Sequence, residues 1–323
     1  MAIRMGSPAP ARPFNPPLGS KDNLGYYVQM NSGGCPMAKL ARRIQYAASQ
    51  LREAAVSLAF LLLLAGPAAA QSGLPDGGVA RAPGAGAVTA WYGQPTTRYG
   101  HGVLGDAIEA GSLVAVDEAG RSHAVVLPES QVFEDITPRL ADLDGDGRNE
   151  VVTIRSTVSS GASVAVYGIA GACLTELAST RPIGRPNRWL SIAAIADFVG
   201  DGTMQLAVVK TPHIGGILEI LAMRGGELVS LYPKQTGYST HFIGSRDVSL
   251  ALAGDLDGDG AVELALPDAT RRRLVVLRFG KTVEPVAVVD LPARIDQPIQ
   301  RDGARGLAVR LDNGETIRIQ MPR

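Results

Sequence analysis

The stretch DLDGDG occurs twice, at Asp142–Gly147 and Asp255–Gly260. Aspartates set at every second position repel one another and raise one another's proton affinity, an arrangement that a cation placed among them relieves. Counting from the first aspartate, Asp142, Asp144 and Asp146 stand at positions 1, 3 and 5, Gly147 at 6 and Glu150 at 9. The second copy repeats this with Asp255, Asp257, Asp259, Gly260 and Glu263. With a main-chain carbonyl from position 7, Arg148 or Ala261, these oxygens can surround a hard cation that takes about 6–8 oxygen ligands, and calcium is the expected cofactor. A helix-flanked calcium hand would need its bidentate acid at position 12, which is Thr153 or Leu266 here. That reading fails. A third copy, DFVGDGTMQ, keeps Asp197 and Asp201 but carries Val199 and Gln205 where the others have acids, so it is expected to retain the hairpin shape with little or no metal.

The elements that must position these loops are short strands. Alternating apolar runs lead into each loop and leave it (EVVTI, QLAVV, ELALP), a third run follows a small turn (SVAVYGI, GILEILA, RLVVLRF), and a fourth closes the unit (CLTELAS, ELVSLYP, PVAVVDL). First aspartates at 142, 197 and 255 place the units 55 and 58 residues apart, a period suited to the blades of a repeat architecture. The fold class expected is all-β: a β-propeller of four-stranded antiparallel blades, five in number. A first, weaker unit starts near His101, and a last one near Arg294 runs out of chain after the Asp312-Asn313-Gly314 turn. The stretch Ala87–Gly93 is expected to supply the strand that the last unit lacks, closing the ring and removing the open edge.

On these residues the chain resembles the FG-GAP/VCBS repeats, the blades of integrin α-chain heads and of many bacterial exported proteins. DLDGDGRNE and DLDGDGAVE, each between two strands of a repeating unit, carry the resemblance. The FG…GAP signature usual upstream of integrin loops is not legible, so the bacterial VCBS-like form is the nearer one. What the resemblance implies is a propeller with calcium between the first two strands of a blade. It names no single activity, because such blades serve adhesion, ligand recognition and structural support and occur in some carbohydrate-active enzymes.

Other residue types offer less. His101, His123, His213 and His241 lack metal-ligand spacing and read as loop or hairpin residues; Cys173 has no catalytic signature, and Gly280-Lys281-Thr282 reads as a turn. Arg271, Arg272 and Arg273 read as a solvated hairpin tip, with contact to an anion or acidic glycan as the lesser reading. Trp91, Trp189 and Tyr238 could stack on sugars or simply pack.

In the 323 residues, 46% are hydrophobic and 5% aromatic, with 38 Gly and 21 Pro, a composition of short strands and tight turns. Basic Arg42, Arg43 and Arg52, an apolar run over 54–66 and the ending Ala68-Ala69-Ala70 read as a secretory signal peptide cleaved after Ala70. The run is too short for a membrane span, which needs about 20 residues. Translation is expected to start at Met37, making 37–70 the signal peptide, 1–36 an untranslated upstream extension, 71–86 a flexible linker and 87–323 the propeller. The mature chain then has 24 Lys plus Arg against 29 Asp plus Glu, a net charge of −5, which argues against a nucleic-acid partner. The expected protein is secreted or periplasmic, a calcium-stabilised binding or scaffold module for an unknown protein or glycan. One alternative is a polysaccharide lyase or hydrolase using acids such as Asp247 or Glu219. A purely structural envelope component is the other.

Overall fold

The structure, a computed structural model, describes residues 73–322, so the expected signal peptide, upstream extension and start at Met37 lie outside the described residues. No α-helix occurs among them, and the fold is all-β. The first sheet contains β1 (Ala80–Arg81), β2 (Ala85–Thr96), β3 (Glu109–Asp117) and β4 (Ser122–Val126), then β5 (Gln131–Phe133), β6 (Arg139–Ala141), β7 (Arg148–Thr157), β8 (Gly161–Ala170) and β9 (Cys173–Ser179). β5 pairs with both β3 and β7, joining two four-stranded units, β1–β4 and β6–β9, into one sheet. The second sheet is β10 (Leu190–Ala196), β11 (Gln205–Lys210), β12 (Ile217–Arg224) and β13 (Glu227–Ser230), with β14 (Gln235–Thr236) also on β12. The third is β15 (Leu252–Gly254), β16 (Glu263–Pro267), β17 (Arg273–Phe279) and β18 (Val283–Asp290). The fourth has three strands, β19 (Gln300–Arg301), β20 (Gly306–Arg310) and β21 (Thr316–Gln320).

Strand periodicity explains how the units pack, because alternate side chains leave opposite faces of a sheet. On β7, Val151 joins a core with Tyr92, Leu113 and Tyr167, whereas Val152 and Ile154 join another with Leu190, Leu206 and Val208. On β11, Leu206 and Val208 face back to that second core, and Ala207 and Val209 face forward to Leu264, Leu266 and Leu277. On β17, Val275 and Leu277 face back, and Leu274 and Val276 face Leu307 and Val309 of β20. Each middle unit is therefore buried on both faces, so its strands read as nearly unbroken apolar runs.

The expected closing strand does not join the last unit. Ala87–Gly93 lies in β2, paired antiparallel with β3 from Ala87–Asp117 to Thr96–Glu109 and with β1 at Ala90–Ala80, so it belongs to the first unit rather than the last. Among the described residues, no core cluster joins β19–β21 to the first unit. The physical reason lies at the start of β2. Ala85 and Gly86 cross β7 in parallel, at Arg148 and Asn149, and Gly86 has φ +76 with no room for a Cβ, which would meet the Asn149 carbonyl at 2.7 Å. The segment expected as a linker also takes part: Leu74 is buried in the first core, and Gly73 bridges to Gly93.

Candidate functional site

The three Asp/Gly loops fill equivalent links. Strand pairs end at Ala141–Glu150, Ala196–Gln205 and Gly254–Glu263, and the residues between form the turn. Position 6 is Gly147, Gly202 or Gly260, with φ of +83, +85 and +91, a conformation that glycine takes without steric cost. The first aspartate gathers the loop's own amides. Asp142 accepts from the N–H groups of Gly145 and Gly147, both at 2.8 Å, and Asp255 from those of Gly258 and Gly260 at 2.7 and 3.1 Å. Asp197 does the same for Asp201 and Gly202. At position 9, one oxygen of Glu150, Gln205 or Glu263 accepts from the amide of Leu143, Phe198 or Leu256 at 2.7–2.9 Å. The amides of Arg148 and Ala261 close the turns onto Asp146 and Asp259.

Each loop meets its negative charge differently. In the middle loop the amide group of Gln205 turns inward and donates to Asp201, to the Thr203 carbonyl at 2.7 Å and to the Thr203 hydroxyl. In the third loop a guanidinium does this work: Arg278 Nη2 reaches Asp257 Oδ2 at 2.5 Å, Asp259 Oδ2 at 2.8 Å and Glu263 Oε1 at 3.1 Å. Arg278 stands directly across the ladder from Glu263. The first loop has neither. Asp144 Oδ2, Asp146 Oδ2 and Glu150 Oε1, the counterparts of the three oxygens that Arg278 holds, accept no hydrogen bond from the described residues. Burial, and then the charges of Asp144, Asp146 and Asp142, push the Glu150 carboxyl up to about 7. In both DLDGDG loops the aspartates bring one carboxylate oxygen each to within 4.8 Å of one another, close enough to hold a metal ion.

Antiparallel strands send these loops to one end of the units and the next turns to the other. That other end gathers residues with no sequence signature. Trp189, 2% exposed, donates its indole N–H to the Glu134 carbonyl at 2.9 Å and packs on the rings of His213 and His241. It is core, not a sugar-stacking platform; Trp91 and Tyr238 are half-buried. His213 Nε2 and His241 Nδ1 are 2.8 Å apart, and His241 Nε2 lies 3.0 Å from the Ser245 carbonyl. Since that carbonyl only accepts, His241 carries its proton on Nε2, and Nδ1 accepts from His213. Burial above all holds both imidazoles down to about 4. A base with a depressed folded pKa stabilises the fold above its unfolded value of about 6.5 and loses that contribution as pH falls toward 4. Melting temperature should therefore drop from pH 6.5 to 4, and His241→Asn should flatten that part of the curve.

Beside this pair lies a buried acidic group. Glu134 faces His101 Nδ1 at 2.5 Å and accepts from the Ser156 hydroxyl; Asp135 accepts from Tyr92 at 2.9 Å and is paired with Arg139. Glu109 is 2% exposed, and burial first, then Glu134, Asp106 and Asp135, pushes it up to about 9.

No protein-family model matches the chain, and no curated protein matches it. Among solved structures, a rhamnogalacturonan lyase is similar over 71% of this chain and 50% of its own, at 14% identity and a TM-score of 0.39. The chain thus spans half the length of that structure.

The acids named for a hydrolytic or eliminative site are not brought together. Glu219, on β12, lies 2.9 Å from Lys210 and 3.0 Å from Lys234, whose hydrogen bonds and charges outweigh burial and hold its carboxyl below the usual range. It is held as a carboxylate, unsuited to donating a proton. Asp247 is exposed in the link before β15, its amide donating to Ser245 Oγ. The His213–His241 pair has no local signature, because its members are 28 residues apart and each stands as a lone histidine among apolar neighbours.

Proposed function

We propose that the chain is an exported β-propeller of the FG-GAP/VCBS kind, fastened by calcium in the Asp142 loop and working as a binding or scaffold module. Five consecutive antiparallel units, each burying alternate residues against its neighbours, support the propeller. The metal rests on one observation. Three links of the same form answer their carboxylates with the Gln205 amide, with the Arg278 guanidinium or, at Asp142, with no side-chain donor among the described residues. The Asp142 loop is thus the place for an external cation, and its free oxygens suit calcium, a hard ion. At the Asp255 loop calcium must displace Arg278, so it binds there more weakly.

The test is a calcium titration of the melting temperature. Calcium at ten times its dissociation constant stabilises by about 1.4 kcal/mol, a rise of roughly 3–6 °C for a domain of this size. Asp144→Ala should abolish the rise, while Asp257→Ala leaves most of it. An unchanged melting curve in chelator for the wild type would sink the metal assignment.

A further inference from the structure

A cavity lies at the end of the units opposite the acidic loops. The turn between β16 and β17 and the link after β18 bring Arg271, Arg272 and Arg294 to one open pocket of about 610 Å³, whose wall includes His213, His241 and Phe242. Among the described residues no acidic side chain lines it. Asp268 is turned to the Thr270 hydroxyl and to the amides of Arg272 and Arg273, and Asp296 and Asp312 act on Arg271 from outside the lining.

Two of these guanidinium groups, those of Arg271 and Arg272, are held in place before any ligand arrives. Arg271 takes a left-handed backbone at φ 58, lies 4.7 Å from the centre of the Phe242 ring and donates to the Ile295 carbonyl at 2.8 Å. Arg272 donates to the Pro292 carbonyl at 2.9 Å. One hydrogen bond each leaves most of the five N–H donors of a guanidinium free. The Arg294 guanidinium has no hydrogen-bond or ion-pair partner among the described residues, its amide donating to Asp312 Oδ1 at 3.1 Å, and burial, then the Arg294 charge, lowers Arg271 below its usual value. A cluster of like charges whose guanidinium groups pair directly with no carboxylate among the described residues, with Asp296 and Asp312 acting on Arg271 only from outside the lining, can take an anion.

The histidine pair narrows the anion. With His241 protonated on Nε2 and accepting at Nδ1, His213 carries its own proton on Nε2, and its Nδ1 remains a neutral acceptor. Trp189 lies parallel to that ring, at 7° and 6.3 Å, and fixes it. The pocket therefore pairs guanidinium donors with acceptors, the His213 imidazole and the hydroxyls of Ser239 and Thr270, and with an apolar border at Phe242 and Ile243, the latter 70% exposed. A bare inorganic oxyanion leaves the apolar border unused and, where it carries no proton, the acceptors as well. A carboxylate on a hydroxylated ring uses all three.

We propose that this pocket binds a uronic acid residue of an acidic saccharide, its carboxylate on Arg271, Arg272 and Arg294 and a ring hydroxyl donating to His213 Nδ1. This deepens the binding-module reading and stands apart from the metal loops. Calorimetric titration with D-galacturonate and D-glucuronate should show saturable binding of at least one, and D-galactose, which lacks the carboxylate, should show none. Arg294→Gln, an exposed change at a side chain without partners, should weaken binding about tenfold, the effect of one lost charge-assisted contact. His213→Gln should weaken it as well. Arg294→Gln should keep the wild-type calcium response, so failure of the pocket and failure of the metal assignment are read separately. Absence of uronate binding, binding indifferent to Arg294→Gln, or inorganic phosphate binding as tightly as the uronates would each overturn the proposal.

Discussion

Exchange of Glu109 for Gln should stabilise the protein at pH 8 by about 3–5 kcal/mol while changing little at pH 5. The carboxyl sits on β3, 2% exposed, where burial and the neighbouring Glu134, Asp106 and Asp135 push it up to about 9. A carboxyl raised in this way contributes its full stability below its unfolded pKa of about 4.5, and the contribution drains away as pH rises to 9. At pH 8 the folded protein must hold a proton that the unfolded chain releases, at about 1.4 kcal/mol for each unit of difference. Glutamine has the shape of the protonated acid and pays nothing for it. Urea unfolding of both proteins at pH 5, 6.5 and 8 measures the divergence. Parallel curves would show that Glu109 is ionised in the fold. A buried, protonated carboxyl beside a His–Glu contact is also a candidate functional group, so the variant should be carried through any binding assay.

Arg278→Gln should have the opposite sign, lowering stability in chelator by about 2–3 kcal/mol. The change leaves Asp257, Asp259 and the fully buried Glu263 without their counterion. Removing one partner of a fully buried ion pair costs about 3–5 kcal/mol, and the 35% exposure of Arg278 brings solvent screening that reduces the figure. Calcium should then restore most of the loss, because the vacated loop presents the same free oxygens as the Asp142 loop. Calorimetry should find one tight site in the wild type and two in the variant. A variant that calcium does not rescue would mean that the third loop cannot hold the ion with or without its arginine.

Much of this molecule could be read from short stretches of chain. The unit order and both DLDGDG loops were legible because strand alternation and Asp/Gly turns are local, spanning at most nine residues from Asp142 to Glu150. Partner choice was not. Ala87–Gly93 has the pattern of a strand wherever it pairs, and only the crossing of Gly86 over Asn149 places it in the first unit. The same limit hid Arg278, 15 residues beyond Glu263 and meaningful only once the register sets the two opposite each other. Ala222 faces Gln205, and Gly168 follows next in register after the Val151–Tyr167 pair, so the other two loops have no cation at that place. The arginine pocket is assembled from the β11–β12 turn, the link after β14, the β16–β17 turn and the link after β18; no window of sequence holds more than a fragment of it.

The five residues of β16 run from the third acidic loop to the arginine turn. A strand of that length spans about 17 Å, roughly twice the distance over which free charges feel each other in physiological salt, about 8 Å. A cation at one end and an anion at the other therefore bind as strangers. Their free energies add without a coupling term, and reciprocity makes that hold in both directions. Saccharide affinity measured in chelator and in calcium should coincide, so that the ion governs how long the protein lasts and leaves how tightly it holds its ligand unchanged.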